Sequence, residues 1–381
     1  MEPGALAWLG LGWWSIGTAV HWASAALARA PRRTTAAAHH TAADFTVVAP
    51  MAGAGDASEA YVQSLQRLAQ AGVEVLICVA TADDDAVLPT KAIWPEAPIL
   101  VGSGDTFNPK MNNVRKGLEA ARRDVVALCD AGILVSPDEL CRAAAPLSTK
   151  VGLVLALKAA EDPQTLAAEI ERAYIDGHQA RFLLAADRLG IAVASGGVTL
   201  LTNDTLQRIG NWRGFNRWIA DDYSVVRSVR ELGLSTQLGE VMPRLPLGAR
   251  PWSAVWRRQV RWARTRLRLP VWPLVLWEPA IGCTVTGAVG AAALLASGVT
   301  PGLVVVALLA HLLVWLAGEK WFMAGRRLSF GWSAAGAALV REVLAPALAV
   351  CAIGGRRIPW RGTDLGGEWR SRGKSASRTS L

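Results

Sequence analysis

The stretch Asp124-Val125-Val126-Ala127-Leu128-Cys129-Asp130 is a short apolar run that ends at a carboxylate, and the small residues Ala131 and Gly132 follow it. Its length and its valines predict a buried strand. Similar runs lie on both sides, separated by segments with helical spacing. The predicted strands are 45–49, 73–80, 98–101, 124–130 and 151–157, and the predicted helices are 58–71, 113–123 and 163–189. This alternation predicts an α/β fold with a mostly parallel, Rossmann-like sheet and helices on both faces.

Composition indicates a membrane protein. The chain has 381 residues, of which 52% are hydrophobic, with 17 Trp against three Tyr and six Phe. Many Trp lie near the ends of apolar runs, where aromatic rings favour the membrane–water interface. The net charge of +9 includes Arg clusters beside these runs, so we expect anionic headgroups of the lipid bilayer, and no nucleic acid, as partners. The five Cys are scattered and predict neither a zinc site nor a disulfide framework.

The N-terminal run, residues 5–28, has no formal charge and is long enough for a tilted spanning helix. A cleaved signal peptide is the rival interpretation, but the positive cluster Arg29, Arg32 and Arg33 follows the run instead of preceding it. By the positive-inside rule, that end is cytoplasmic. We therefore expect an integral protein of a bacterial inner membrane, with its α/β domain in the cytoplasm.

Three further apolar runs follow the α/β region. Residues 271–299 and 301–323 are each long enough to span, whereas 332–353 is interrupted by Arg341-Glu342. Because Arg residues lie beyond both ends of this third run, we favour a re-entrant or interfacial segment there, with a true span as the alternative. The Arg341-Glu342 pair should face protein, water or headgroups, since these charges are costly against lipid.

Acidic residues follow two of the predicted strands. In parallel sheets, ligands bind outside the carboxyl ends of the strands, and Asp83, Asp84 and Asp130 all fall there. Asp130 can reach a divalent cation that bridges two phosphates, and its small neighbours leave room for a nucleotide. Asp83 and Asp84 can accept from a uracil imide or from ribose hydroxyls. The alternatives are a turn cap for Asp130 and a solvated acidic loop for the other two.

Two further segments carry candidate site residues. Lys110, in Asn108-Pro109-Lys110-Met111-Asn112-Asn113, lies near a predicted helix start, where its charge and free N–H groups suit a phosphate. The adjacent carboxylates Asp221 and Asp222 repel each other, which can raise the pKa of one of them. We choose Asp222 as a general base for an acceptor hydroxyl and Asp221 as the alternate. An exposed Lys and a helix cap, respectively, are the plainer interpretations.

A predicted helix over residues 252–268 carries six Arg residues with interleaved Trp residues. Such a helix suits the headgroup region of a membrane, and anchoring is the simpler interpretation for most of its Arg residues. Within Gln259-Val260-Arg261-Trp262, however, Arg261 can also neutralise a leaving diphosphate.

Taken together, these residues resemble the ceramide glucosyltransferase family, glycosyltransferase family 21, which includes hopanoid-associated bacterial relatives. The resemblance runs from about Phe45 to Gly362, with a membrane helix before it. The motifs that carry it are 108–113, Cys129-Asp130-Ala131-Gly132-Ile133, Ile219-Ala220-Asp221-Asp222-Tyr223 and Gln259-Val260-Arg261-Trp262, which we match to the family's Gln-x-x-Arg-Trp pattern. Glu278-Pro279, Arg341-Glu342 and Trp360-Arg361-Gly362 add to it.

The resemblance implies a GT-A fold and inverting, metal-assisted transfer from a UDP-sugar donor to the hydroxyl of a membrane lipid acceptor, with ceramide as the first choice. It implies Mg²⁺ or Mn²⁺ as the cofactor. The implied roles are as follows: nucleotide-sugar binding by Asp83, Asp84, Lys110 and Asp130; the metal on Asp130; the base at Asp222, with Asp221 as alternate; and diphosphate or acceptor contacts from Gln259, Arg261, Trp262 and His178.

Some positions depart from the family pattern. Ala49-Pro50-Met51 stands where the family has a Lys-Pro-Leu-like turn, and Thr81 and Ala82 open the acidic turn. Asp130 is followed by Ala131 instead of the more typical Ser, which keeps the carboxylate.

The resulting organisation has six segments. They are an N-terminal transmembrane helix (1–30), a linker (31–43), a GT-A nucleotide-sugar domain (44–250), a basic interfacial helix (251–270), flanking membrane segments (271–355) and a basic cytoplasmic tail (356–381). Three alternatives remain open: transfer to a hopanoid or another lipid, a processive polysaccharide synthase, and a non-catalytic membrane scaffold. A synthase would need a channel lined by more membrane helices, and a scaffold would not need every expected carboxylate.

Overall fold

A computed structural model describes residues 3–30, 39–360 and 363–367. The chain divides into two compact units. The sheet unit comprises Arg32–Glu161, Leu189–Pro246 and Arg357–Leu381, and the helical unit comprises Met1–Pro31, Asp162–Arg188 and Leu247–Arg356. Most of the predicted linker, most of the predicted tail, and Arg361 with Gly362 lie outside the described residues.

The described strands and helices are as follows. The strands are β1 (Phe45–Pro50), β2 (Glu74–Val79), β3 (Ile99–Val101), β4 (Val125–Cys129), β5 (Val151–Leu157), β6 (Ala159–Pro163), β7 (Gly197–Thr202), β8 (Ser235–Leu238), β9 (Arg244–Gly248), β10 (Pro359–Trp360) and β11 (Thr363–Asp364). The α-helices are α1 (Pro3–Arg29), α2 (Glu59–Gln70), α3 (Val87–Ile93), α4 (Pro109–Ala120), α5 (Pro137–Ala144), α6 (Leu166–Arg172), α7 (Ala180–Arg188), α8 (Asn203–Arg208), α9 (Trp212–Phe215), α10 (Asp221–Glu231), α11 (Trp252–Arg266), α12 (Trp272–Ala280), α13 (Cys283–Ala296), α14 (Pro301–Gly325) and α15 (Trp332–Ile353).

The main sheet has seven strands in the order β3-β2-β1-β4-β7-β5-β8. Strands β1 to β4 are parallel to one another, and β5 is parallel to β8, whereas β7 runs antiparallel to both β4 and β5. The sheet is therefore mostly parallel, as predicted. The carboxyl ends of β2 and β4 lie on the same edge, and Asp84 and Asp130 follow these two strands.

Helices cover both faces of the sheet. Alternate residues of β1, Phe45 and Val47 among them, belong to a buried cluster with Tyr61 and Leu65 of α2. On the other face, α4 packs so closely that a Cβ on Gly117 would lie 2.6 Å from Val48 Cγ1. This arrangement confirms the predicted helices on both faces, because the near-continuous apolar strands must be covered twice.

The helical unit depends on close helix packing. Helix α1 packs against α7, α13 and α14. A Cβ on Gly17 would lie 2.3 Å from Thr286 Cγ2, and one on Gly290 would lie 2.2 Å from the Trp14 ring. Small residues at such contacts let helix backbones approach, as they commonly do in membranes.

Two of the described helices, α14 and α15, are long and apolar enough to cross a membrane. The pair α12 and α13 counts as a third only if taken as one broken span, since it bends by 48°. The break falls between Pro279 and Gly282, inside the run 271–299 that we predicted to be continuous. The helix breaks there because Pro and Gly both weaken a helix. Conversely, α15 is unbroken where we favoured a re-entrant segment. Helix α1 does not reach the same mean hydropathy, and its span stays a prediction.

The predicted helix 163–189 is also divided. Between α6 and α7 lies a π-helix, Ala173–Gln179. Within it, a Cβ on Gly177 would lie 2.0 Å from Glu319 Oε1, so only glycine admits this contact. A π-helix is uncommon and often marks a functional region.

Candidate active site

The N-terminus of α4 is built by the motif that contains Lys110. Asn108 caps the helix by accepting a hydrogen bond from the backbone N–H of Lys110 at 3.0 Å, and Pro109 fills the first helical position. Asn113 donates to the carbonyl of Met51 at 2.8 Å, which fixes α4 to the end of β1. The helix thus begins at Pro109, four residues before the predicted start, and Lys110 lies in its first turn.

Lys110 joins two of the predicted carboxylates. Its Nζ lies 2.6 Å from Asp130 Oδ1 and 2.5 Å from Asp221 Oδ2. The three side chains are 17%, 29% and 20% exposed, respectively, so water still reaches the group. Although burial opposes the charged form, the two carboxylates raise the pKa of Lys110 above its usual value. The ammonium is therefore charged at every physiological pH.

Asp130 lies directly after β4, as predicted, and glycines surround it. A Cβ on Gly196 would lie 2.8 Å from Asp130 Oδ2, and Gly132 has a φ of +81° that favours glycine. Burial works to raise the pKa of Asp130, but the positive charges of Lys110 and Lys158 outweigh it and hold this pKa below its ordinary value. Asp130 is consequently an ionised acceptor at neutral pH.

Asp221 and Asp222 are the first two residues of α10. Asp222 is half-buried and accepts the backbone N–H of Tyr223 at 2.8 Å. Burial, followed by the charge of Asp221, raises the pKa of Asp222 to about 6. A carboxylate with this pKa is a stronger base than an ordinary Asp and is still ionised at pH 7. The two neighbours thus differ: Asp221 binds Lys110, whereas Asp222 fits the predicted role of base.

Asp83 and Asp84 follow β2 but differ in surroundings. Asp84 accepts the backbone N–H groups of Gly53 at 2.8 Å and Ala86 at 2.9 Å, so it joins the loops after β1 and β2. Asp83 is exposed, and a hydrogen bond from Thr81 lowers its pKa. Asp84 therefore holds the two loops together through its hydrogen bonds. Asp83 is the better placed of the two to meet a ligand, because its side chain is exposed.

The carboxylates around Lys110 suit a cation that arrives with phosphates. Among the described residues, no group of three or more His, Cys, Asp or Glu side chains could hold a metal ion alone. Mg²⁺ is usually held by one or two carboxylates together with substrate phosphates and water. Asp130 and Asp221 converge on the Lys110 ammonium, so both carboxylates already face one positive charge. Asp130 thus fits a metal ion whose remaining ligands come from the phosphates of the donor and from water.

The remaining predicted residues belong to the helical unit. A cavity of about 40 Å³ there has space for a few water-sized groups, and its polar lining includes His178, Gln259, Arg266 and Glu278. Arg266 Nη1 lies 2.6 Å from Glu278 Oε1, and His178 Nε2 lies 3.5 Å from Glu278 Oε2. Gln259 is 3% exposed, and its Nε2 has no hydrogen-bond partner among the described residues.

Arg261 and Trp262 are half-buried on α11 and do not line this cavity. Helical spacing explains the separation, since Gln259, Ala263 and Arg266 share a face from which Arg261 is turned away. The match of Gln259 to the family's Gln-x-x-Arg-Trp pattern is also wrong by one position, because Arg258 stands three residues before Arg261. Arg258 forms an ion pair with the fully buried Glu171.

Sequence reasoning singled out Arg341 and Glu342 but missed that Glu319 joins them in a second group of charges in the helical unit. Arg341 Nη1 and Nη2 lie 2.7 and 2.9 Å from the two carboxylate oxygens of Glu319, and Nη2 lies 2.7 Å from Glu342 Oε1. Arg341 Nη1 also donates to the carbonyl of Ala173 in the π-helix. The signal that could have identified the group is Glu319, a single acid inside the apolar run 301–323.

Comparison with known proteins relates the chain to a family of glycosyltransferases. The chain matches the family model described as glycosyl transferase family 21 over residues 11–372. It is 25% identical over 224 residues to ceramide glucosyltransferase 1 of Caenorhabditis elegans, which covers 56% of this chain and 47% of the relative. It is 24% identical over 310 residues to ceramide glucosyltransferase 3 of the same organism, which covers 76% and 65%. The chain thus spans about half to two thirds of the length of these curated relatives.

Among solved structures, the chain is similar to a mannosyltransferase from Pyrobaculum calidifontis in complex with GDP-mannose and Mn²⁺. The TM-score is 0.55 at 17% identity, and the match covers 90% of this chain and 99% of that one. This similarity confirms the predicted GT-A fold. Since the family model covers nearly the whole sequence, the chain belongs to glycosyl transferase family 21.

Proposed function

We propose that this chain is a membrane-bound inverting glycosyltransferase that transfers a sugar from a UDP-sugar to a lipid hydroxyl, with ceramide as the first candidate acceptor. The observation that carries the proposal is the arrangement at the carboxyl edge of the main sheet. Lys110 and the carboxylates of Asp130 and Asp221 meet there, and Asp222, with a pKa of about 6, follows next in the chain. The family membership and the names of the curated relatives support the same reaction class.

The donor fits the sheet edge. The diphosphate would meet the first turn of α4, where the positive end of the helix dipole and the Lys110 ammonium favour an anion. Asp83 would accept from the uracil or the ribose. Asp130 would hold a divalent cation, which when bound supplies positive charge to the departing diphosphate.

The acceptor step requires a base. Asp222 would take the proton from the acceptor hydroxyl while that oxygen forms a bond to the anomeric carbon of the sugar. The bond between this carbon and the diphosphate oxygen breaks at the same time, and UDP leaves with the electron pair. One displacement of this kind inverts the anomeric centre. The raised pKa of Asp222 suits the step, because it strengthens the base without leaving it protonated at pH 7.

The lipid side of the proposal rests on the helical unit. It contains two helices long and apolar enough to span a membrane, and α11 carries a basic, Trp-containing surface. Large apolar side chains such as Leu313 and Val350 are exposed on α14 and α15, which suits contact with lipid. An enzyme held in the bilayer in this way meets a lipid acceptor without extracting it into water.

The test is product formation by the purified full chain. Labelled UDP-sugars are supplied with Mn²⁺ and with vesicles that contain ceramide, a hopanoid polyol or diacylglycerol, and the organic extract is analysed by mass spectrometry. We expect a hexosyl lipid from the native chain and none from Asp130→Ala. A labelled product that resists organic extraction would point to a polysaccharide synthase instead. Transfer to none of these acceptors, from any UDP-sugar, would overturn the proposal.

A further inference from the structure

We propose that Lys110 is an internal counterion that occupies the place of the divalent cation in the unloaded enzyme, so that cation and nucleoside diphosphate bind strongly only together. This inference rests on the proposed function, because it concerns the same donor site. It goes further by assigning Lys110 two successive partners, the carboxylates first and the diphosphate afterwards.

The geometry supplies the first partner. The Lys110 ammonium makes short contacts to one oxygen of Asp130 and one oxygen of Asp221, at 2.6 and 2.5 Å. The two carboxylates come from separate elements, the end of β4 and the start of α10, and Lys110 comes from a third, α4. These contacts therefore depend on the tertiary structure and are not a local pair along one helix.

Charge makes the two occupants mutually exclusive. A divalent cation on Asp130 would lie within a few ångströms of the ammonium, and like charges at that distance repel strongly when water is partly excluded. The ammonium is already surrounded by Asp130 and Asp221 and is only 17% exposed on its side chain. Mn²⁺ or Mg²⁺ alone must therefore displace Lys110, and without another anion the displaced ammonium loses its partners.

The diphosphate supplies the second partner. Lys110 is the second residue of α4, a helix of 12 residues that starts at Pro109, so its side chain extends from the first turn, at the positive end of the helix dipole. A phosphate drawn to that turn is within reach of a flexible four-carbon side chain. The nucleotide therefore offers Lys110 a new anion when the cation takes its old ones.

The consequence is a thermodynamic coupling. The cation should bind weakly without nucleotide, the nucleotide should bind weakly without cation, and each should strengthen the other by the same factor. If Lys110 were only a phosphate ligand, removing it would weaken nucleotide binding and leave the affinity for the free cation unchanged. If it is also a competitor, removing it should strengthen binding of the cation alone.

The experiment measures both affinities on the purified full chain in detergent micelles. Mn²⁺ binding is followed by the electron paramagnetic resonance signal of free Mn²⁺, with and without UDP, and UDP binding is followed by calorimetry. For Lys110→Met we expect Mn²⁺ alone to bind about tenfold more tightly than to the native chain, and the coupling to UDP to fall by about the same factor.

Two variants serve as controls. Lys110→Arg keeps the positive charge and should bind Mn²⁺ alone as weakly as the native chain. Lys150→Met removes an exposed charge just before β5, at the opposite edge of the sheet from Asp130, and should change neither affinity. Should Lys110→Met fail to fold, Lys110→Gln is the second neutral variant. The native chain gives an independent test, because equal Mn²⁺ affinity with and without UDP would overturn the inference.

The outcomes separate the two proposals. If the native chain binds no UDP even with Mn²⁺, the donor class in the proposed function is wrong, and the inference falls with it. If the native chain binds UDP with Mn²⁺, but the neutral variants bind Mn²⁺ alone no more tightly than the native chain, only the role of Lys110 as competitor is wrong. Tighter binding of Mn²⁺ alone by a neutral variant, but not by Lys110→Arg, supports the inference.

Discussion

Lys110 in the sheet unit and Arg341 in the helical unit each bridge two carboxylates, yet their surroundings differ. The Lys110 group keeps 17% to 29% of its side-chain surface exposed. The side chains of Arg341 and Glu319 are each 1% exposed, and that of Glu342 is 7% exposed. Arg341 also bonds the π-helix carbonyl of Ala173, whereas Lys110 contacts only side chains in the bonds described.

The difference shows that the same charge pattern can serve binding or structure. A partly hydrated ion pair contributes little stability and can exchange one partner for a ligand. A sealed network cannot exchange, because removing one member leaves an uncompensated buried charge. We therefore assign ligand binding to the first group and helix assembly to the second. The predictions below test that assignment.

The largest effect is expected on turnover when Asp222 loses its basicity. Asp222→Asn should lower kcat/KM for sugar transfer by about 10² to 10⁴-fold, the usual contribution of a general base. In the native chain, kcat/KM should rise with pH and level off above an apparent pKa near 6, and this limb should vanish in the variant. Asp204→Asn, which alters an exposed carboxylate of the same unit, should change neither. A variant with near-native turnover would remove Asp222 from the mechanism.

The next effect is on stability in the helical unit. Arg341→Met should destabilise the chain by about 3–5 kcal/mol, because Glu319 and Glu342 would then be buried without their counterion. The measurement is thermal unfolding in detergent micelles. Arg115→Met, which breaks an exposed pair with Glu119 on α4, is the matched control and should cost at most about 1 kcal/mol. Equal losses in the two variants would contradict the structural role of Arg341.

The smallest effect has the opposite sign. The folded-state pKa of Asp222 is about 6 against an ordinary 3.8, so its carboxylate reduces stability fully above pH 6 and not at all below about pH 4. Asp222→Asn removes this cost and should raise the apparent Tm by a few degrees at pH 8. The gain should disappear at pH 4. A lower Tm at pH 8 would show that Asp222 supports the fold, as Arg341 does.

Much of the sheet unit could be predicted from sequence, because each strand is a short, nearly continuous apolar run. Strand β5 was predicted with its observed ends, and β1 and β4 to within one residue. The helical unit was less predictable. Both the break at Pro279 and Gly282 and the π-helix fall inside runs with uniform apolar or helical patterning, where local features do not fix the backbone.

The site was predicted in part. Asp130, Lys110 and Asp221 were identified separately, and the structure brings them together. The contrast between Asp83 and Asp84 was not foreseen, since adjacent carboxylates look alike in sequence and only the position of Gly53 distinguishes them. The Gln-x-x-Arg-Trp pattern on α11 was misaligned by one residue. Its first position falls on Arg258, three residues before Arg261, and not on Gln259.

The sequence by itself determined the sheet, the acidic residues at its edge and the apolar character of the later helices, because these depend on periodicity and composition along the chain. Only the tertiary structure decided which carboxylates Lys110 binds, which of Asp221 and Asp222 has the raised pKa, and which charges are sealed within the helical unit. Those properties depend on distances and burial among residues far apart in sequence, and no local pattern encodes them.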